Sequence, residues 1–145
     1  MIVRSAFAKD VPTIVALGGR MHAASERKDV EYDTLRVATF VMQSVVSDDA
    51  FSCVAEHEGM IVGFMVGALQ DWPFLDWVVA TDLVTISERA GAGSMLLSAF
   101  EKWAAERGAN EVLIGVSYGG RDAAPLFERK GFKHVGGMFS KRIER

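Results

Sequence analysis

The chain predicts a mixed α/β domain, from three observations. Strand-like and helix-like segments alternate along its length. The apolar period changes at Gly93 from two residues to about 3.6. A run of small residues sits at that change, between a buried apolar strand and a long amphipathic helix. A length of 145 residues suits one domain, taken as 1–145, around one core.

Ile2 to Phe7 reads as a short apolar strand. Asp10 is expected to cap a helix whose first turn holds Pro12, where a missing N–H costs little. Ile14, Leu17, Met21 and Ala24 make its apolar face, and Gly18 and Gly19 weaken its middle. Asp33 caps a second helix with Leu35, Ala38, Met42 and Val45 on one face. Phe51–Glu56 and Met60–Leu69 form a hairpin turned by His57, Glu58 and Gly59. Asp71 to Phe74 is a break, and Trp77–Ile86 is apolar and β-branched enough for a buried strand. From Gly93 a helix puts Leu96, Ala99, Phe100 and Trp103 on one side, with Gly108 in the role that ends it. Glu111–Val116 reads as another buried strand and Ala123–Lys130 as a short helix closed by Gly131. Phe132–Ile143 is expected to be a final strand or hairpin, with Gly136 and Gly137 at a turn or bulge.

Half the residues are apolar and 24% are charged, an ordinary soluble composition. No apolar run is long enough for a membrane span, and the opening MIVRSAFAKDVP lacks the core of a secretory signal, so a cytoplasmic protein is expected. The net charge of −3 argues against a nucleic-acid partner. The sole cysteine, Cys53, permits no internal disulfide and reads as a buried strand residue. His22, His57 and His134 have no ligand spacing, so no metal is expected.

The segment from Asp82 to Leu97, DLVTISERAGAGSMLL, carries the chemistry. A strand ends, a small-residue loop follows and a helix begins. A helix start presents unpaired N–H groups and a partial positive charge, and glycines let an anion come close. Arg89 adds a cation suited to phosphate oxygens. A tight turn without a ligand has the same local appearance. The GK[ST] ending of a P-loop is absent, and so is the third glycine of a dinucleotide fingerprint.

This stretch resembles the acyl-CoA loop of the GNAT superfamily of N-acyltransferases, Arg/Gln-x-x-Gly-x-Gly/Ala followed by a helix. Glu88 stands where Arg or Gln is expected, and Arg89 one place later. Ala123-Ala-Pro-Leu-Phe-Glu-Arg-Lys-Gly-Phe132 resembles the superfamily's A-x-x-L-Y-E-K-x-G-F segment. Arg20-Met-His-Ala-Ala-Ser25 with Tyr32-Asp33 resembles the acceptor-side helices of some bacterial and phage members.

The resemblance implies a mixed sheet splayed between its fourth and fifth strands, flanked by about four helices, with acetyl-CoA in the gap. It implies cofactor contacts from Val84, Thr85, Ile86, Arg89, Ala90, Gly91, Ala92, Gly93, Ser94 and Phe127. A backbone N–H near Ile86 would hold the oxyanion while an amine, small or peptide-borne, attacks directly. His22, Ser25 and Tyr32 fall on the acceptor side. The family's usual proton donor is a tyrosine; here it is Phe127, so Tyr118, with Ser117 next, or water is the expected substitute. Glu56, Glu58 and Asp82 are the candidate bases, with Glu56 and Asp82 preferred and His22 a further option.

Two other readings compete with catalysis. The departures at Phe127 and Glu88 fit a protein that binds the cofactor without turnover. The likeness to small phage proteins fits an interaction protein with an exposed apolar patch near Trp72, Phe74 and Trp77. A final strand at a sheet edge would also offer a homodimer contact.

Overall fold

The structure is a computed structural model that describes residues 1–115 and 123–145. Five strands run in spatial order β1 (Ile2–Ser5), β2 (Ala50–His57), β3 (Met60–Asp71), β4 (Val78–Ser87) and β5 (Glu111–Leu113). The first four pair antiparallel, and β5 joins β4 in parallel. Helices α1 (Val11–Ala23) and α2 (Thr34–Val46) cover one face. Helix α3 (Ala92–Glu106) covers the other, and α4 (Ala124–Arg129) follows β5. This is the mixed α/β sheet with four helices that the sequence predicts.

The alternation of β3 builds both cores. Phe64 and Val66 point toward α1 and α2, where Ile14, Leu17, Val41, Val54 and Ile86 complete a buried cluster. Met65 points the other way, into a cluster with Phe51, Leu96, Leu97 and Phe100. Gly63 and Gly67 share that second face. A Cβ on Gly67 would lie 2.2 Å from Phe100 Cε1, and one on Gly63 3.1 Å from Leu96 Cδ1. The ring of Phe100 therefore rests on bare backbone, and its full burial stabilises the fold by about 1.5–3 kcal/mol.

Several elements begin and end where the sequence places them. The β2–β3 turn has Glu58 and Gly59 at φ 51° and 79°, a two-residue hairpin loop. Asp33 Oδ1 accepts the Arg36 N–H at 3.0 Å and caps α2. Gly108, at φ 80°, takes the chain out of α3.

Other expectations are corrected. Asp10 does not cap α1 with its side chain. Its carboxylate accepts two hydrogen bonds from Arg4, at 2.8 and 3.0 Å, and one from the Phe7 N–H at 2.7 Å. The charged guanidinium outcompetes a helix amide, and it holds the Asp10 carboxyl below the usual range. The buried face of α2 is Val37, Ala38, Val41, Ser44 and Val45, leaving Leu35 and Met42 exposed. This helix is apolar on several sides, so periodicity alone does not select the face that meets the sheet. Gly18 and Gly19 do more than weaken α1. The Tyr32 ring lies across them, and a Cβ on Gly18 would come 2.6 Å from its hydroxyl oxygen.

No strand forms within 133–145. Val135, Met138, Phe139 and Ile143 are exposed, because no described element faces them. Arg142 ties this segment to Asp29, its Nη2 donating to Oδ1 at 2.8 Å. The expected strand from Glu111 leaves the ladder after Leu113, and its Val116 end lies outside the described residues. The aromatic patch expected near Trp72 is present: Trp72, Phe74, Leu75 and Trp77 are all exposed around the β3–β4 loop.

Candidate active site

The site originates in a register shift. Between β3 and β4, Val66 faces Val84 while Gly67 faces Asp82, so Leu83 is an extra residue in β4. Such a bulge bends its strand. Below it β4 pairs with β5 through Val79, Ala80 and Thr81; from Asp82 onward the pairing stops and the two strands part. The splay between the fourth and fifth strands thus begins where β4 carries its inserted residue.

The parting opens a cleft of about 800 Å³. Thr85, Ile86, Arg89, Ala90, Gly91, Gly93, Ser94 and Phe127, all predicted cofactor contacts, line it. Two predicted contacts do not. Ala92, the first residue of α3, is fully buried, and Val84 faces a second pocket on the other side of β4. Strand parity separates Val84 from Thr85, because successive side chains on β4 leave by opposite faces.

Backbone donors follow the same parity. The Glu88 N–H donates to Val62 at 2.8 Å, and Ile86 is paired with Phe64 two residues on. The Ile86 amide therefore points into the β3–β4 ladder, and those of Thr85 and Ser87 point toward the gap. At the start of α3, Gly91 has φ 90°, a left-handed conformation that favours glycine. Ser87 Oγ accepts the Gly93 N–H at 3.2 Å. Among the described residues, no protein acceptor meets the amides of Ala90, Gly91 and Ser94. Arg20, Arg89, Arg129 and Lys130 line the same cleft.

Glu88 occupies the position of the expected cation, and Arg20 answers it from the last turn of α1. Arg20 Nε donates to Oε2 at 2.8 Å and Nη2 to Oε1 at 2.9 Å, a two-pronged pair. The pair holds the Glu88 carboxyl below its usual range. Sequence reasoning did not assign Arg20 to the β4–β5 cleft. The signal was indirect: an acidic residue where the resemblance expects a cation implies a compensating cation, but nothing local says which.

Of the candidate carboxylates, only Asp82 reaches the cleft. Oδ1 accepts the Gly115 N–H at 3.2 Å and Oδ2 accepts the Thr85 hydroxyl at 3.1 Å, so the side chain bridges the parted strands. Burial pushes its carboxyl above the ordinary value, against those two hydrogen bonds. The folded state therefore holds the extra proton between the ordinary and the raised value. Linkage then makes stability fall as pH rises through that window. Asp82→Asn, which keeps both partners in reach, is expected to melt above the wild type at pH values over the window. The two should converge below it, as calorimetry across pH will show.

The remaining candidates are placed as follows. Glu56 lines neither cavity; it accepts from Arg4 Nε at 2.8 Å, with the β2–β3 turn carrying Glu58 beyond it. Cys53 is half-buried, and burial pushes its thiol up to about 11, so it remains protonated at neutral pH. Tyr118 and Ser117 lie outside the described residues. His22 and Tyr32 line the second pocket, of about 670 Å³. Ser25 does not: it is buried, donating to the His22 carbonyl oxygen at 2.8 Å. Among the described residues no group of histidine, cysteine and carboxylate side chains could hold a metal ion.

With the geometry in place, comparison with known proteins decides the family. A model described as the acetyltransferase (GNAT) family matches residues 20–132. The chain belongs to that family. It is a GNAT-type N-acetyltransferase, and acetyl-CoA is the donor the family uses. Solved structures share the GNAT fold at low identity. A transcriptional regulator from Bacillus halodurans C-125 is 20% identical, with a TM-score of 0.78 over 98% of this chain and 99% of that one. A predicted acetyltransferase from Clostridium acetobutylicum, solved with acetyl-CoA, is 16% identical, with a TM-score of 0.72 over 97% and 95%. An aminoglycoside acetyltransferase from an uncultured soil metagenomic sample, solved with sisomicin, is 18% identical, with a TM-score of 0.70 over 99% and 96%. No curated protein matches the sequence significantly. Among the described residues no helix of this GNAT protein is long and apolar enough to cross a membrane.

Proposed function

We propose that the protein moves the acetyl group of acetyl-CoA to a primary amine by direct attack, with the donor in the β4–β5 cleft and the amine in the pocket behind β4. The observation that carries this reading is the junction of the two cavities: Met21 and Ile86 line both. A donor and an acceptor held on opposite sides of β4 would meet there.

The cleft fits the donor. Its unpartnered amides at Ala90, Gly91 and Ser94, with Arg89 beside them, suit the diphosphate. The gap-facing amides of Thr85 and Ser87 suit the amide and thioester carbonyls of a pantetheine arm. Phe127, packed on Phe132 with ring centroids 6.0 Å apart, forms an apolar wall. Acetyl-CoA supplies the activated acyl group; the protein supplies position and hydrogen-bond donors. Asp82 holds Thr85 and Gly115 across the gap and serves as a positioning residue. Phe127 has no proton to give, so proton delivery to the departing sulfur falls to water or to Tyr118, the residue nominated by the sequence.

Calorimetric titration with acetyl-CoA, followed by an assay for free thiol release with amines, tests this. Gly93→Ala sharpens it. A Cβ there meets only Ser87, at an ordinary 3.6 Å, and Gly93 has no positive φ, so the fold should keep or gain stability. The added methyl sits in the cleft lining, and the KM for acetyl-CoA should rise by about tenfold, the loss of roughly one cradle hydrogen bond. Wild-type protein that takes up no acetyl-CoA would end this reading.

A further inference from the structure

The second pocket identifies the class of the acceptor, an inference that rests on the proposed function. We infer that the acceptor is a primary amine carried on a single apolar body, an arylalkyl or branched alkyl amine, rather than a polycation or a basic peptide.

Three features of the pocket support this. Its walls are apolar: Ile14, Val37, Phe40, Phe64, Leu83 and Val84 surround about 670 Å³, a volume suited to a small ligand. Its inner polar atoms already have protein partners. His22 Nε2 lies 2.6 Å from the Val30 carbonyl oxygen, and the Tyr32 hydroxyl donates to the Val15 carbonyl oxygen at 2.8 Å. The two rings lie 5.4 Å apart, which fixes both. A ligand rich in hydroxyl and ammonium groups would bury them against these walls without acceptors, at a cost.

The third feature is charge. Glu31 and Asp33 at the rim are matched by Arg27 and Arg36. Asp33 is further engaged by Arg36, accepting its N–H at 3.0 Å with the guanidinium 3.8 Å away. The rim therefore offers no net negative field to gather several ammonium groups. One amine can still reach the reacting end, where Met21 and Ile86 open onto the donor cleft.

The step balances simply. The amine nitrogen bonds to the acetyl carbon as the carbon–sulfur bond breaks, and the electron pair leaves on sulfur. The ammonium gives up two protons, one replaced at sulfur and one released to solvent.

The test compares kcat/KM of the full chain for 2-phenylethylamine and isoamylamine with that for kanamycin and a lysine-containing peptide. Acetyl-CoA affinity is measured separately by calorimetry. The apolar amines are expected to be preferred at least tenfold. Val30→Asn, which puts an uncharged polar group at a half-exposed position on the pocket rim, should lower kcat/KM for 2-phenylethylamine about tenfold with acetyl-CoA affinity unchanged. Equal or better use of kanamycin or the peptide overturns the inference. So does acetyl-CoA binding without transfer to either apolar amine, or a Val30→Asn variant with unchanged kcat/KM. If acetyl-CoA itself does not bind, the proposed function falls and this inference falls with it.

Discussion

Arg20→Ala is expected to weaken acetyl-CoA binding about 30-fold while lowering the melting temperature by no more than about 3 °C. The asymmetry follows from where the Arg20–Glu88 pair sits. Both side chains are substantially exposed, 59% and 34%, and a surface pair of that kind adds at most about 1 kcal/mol to stability. Its removal leaves the Glu88 carboxylate without its counterion in the cleft proposed to hold the diphosphate. A bare carboxylate about 8 Å from an anion, at an effective dielectric constant of about 20, costs about 2 kcal/mol. Glu88→Gln in the Arg20→Ala background removes the repulsion and should recover most of the affinity. Added salt should narrow the gap between wild type and Arg20→Ala. Titration calorimetry on the three proteins at two ionic strengths reads all of this. An Arg20→Ala protein with wild-type affinity would show that the pair has no part in holding the donor.

Gly67→Ala should be among the most damaging single-methyl changes to the fold. The new Cβ would fall 2.2, 2.6 and 3.0 Å from three ring carbons of Phe100, and none of these is the loose end of a flexible chain. Phe100 is fully buried, with Phe51 at 5.2 Å and Trp103 at 5.7 Å between ring centroids, so the ring has little room to retreat. Overpacking of this sort costs about 1–3 kcal/mol, which lowers the melting temperature by roughly 3–10 °C. Phe100→Leu alone should destabilise by leaving a void. Combined with Gly67→Ala it should cost less than the sum of the two, because the methyl then occupies vacated space. Thermal melts of the two single variants and the double variant measure that coupling. Strict additivity would mean that ring and glycine do not compete for the same volume.

Much of the architecture could be read along the chain. The β2–β3 hairpin, the Asp33 cap, the glycine exits at Gly108 and Gly131, and the α3 start are local matters. Turn dihedrals, capping oxygens and helix periodicity act over a few residues, so a short window of sequence contains their causes. The small-residue loop from Arg89 to Ser94 was legible for the same reason, and the structure places it on the lining of the β4–β5 cleft, all but Ala92. The site's other half was not. Val84 and Thr85 are neighbours in sequence, yet the register of β4 sends them to different cavities. Glu56 and Asp82 looked equivalent as strand carboxylates, and only sheet pairing sends one to Arg4 and the other to the gap.

By itself, then, the sequence determined the order of elements as far as α4, most of the turns between them and the small-residue loop that leads into α3. Tertiary structure decided the rest: the bulge at Leu83 where β4 parts from β5, the pairing of Arg20 with Glu88, the face of α2 that is buried, and the seating of Phe100 on Gly67. Those are contests between groups far apart along the chain. Each is settled by which surfaces meet when the core closes, a quantity that no local pattern of residues encodes.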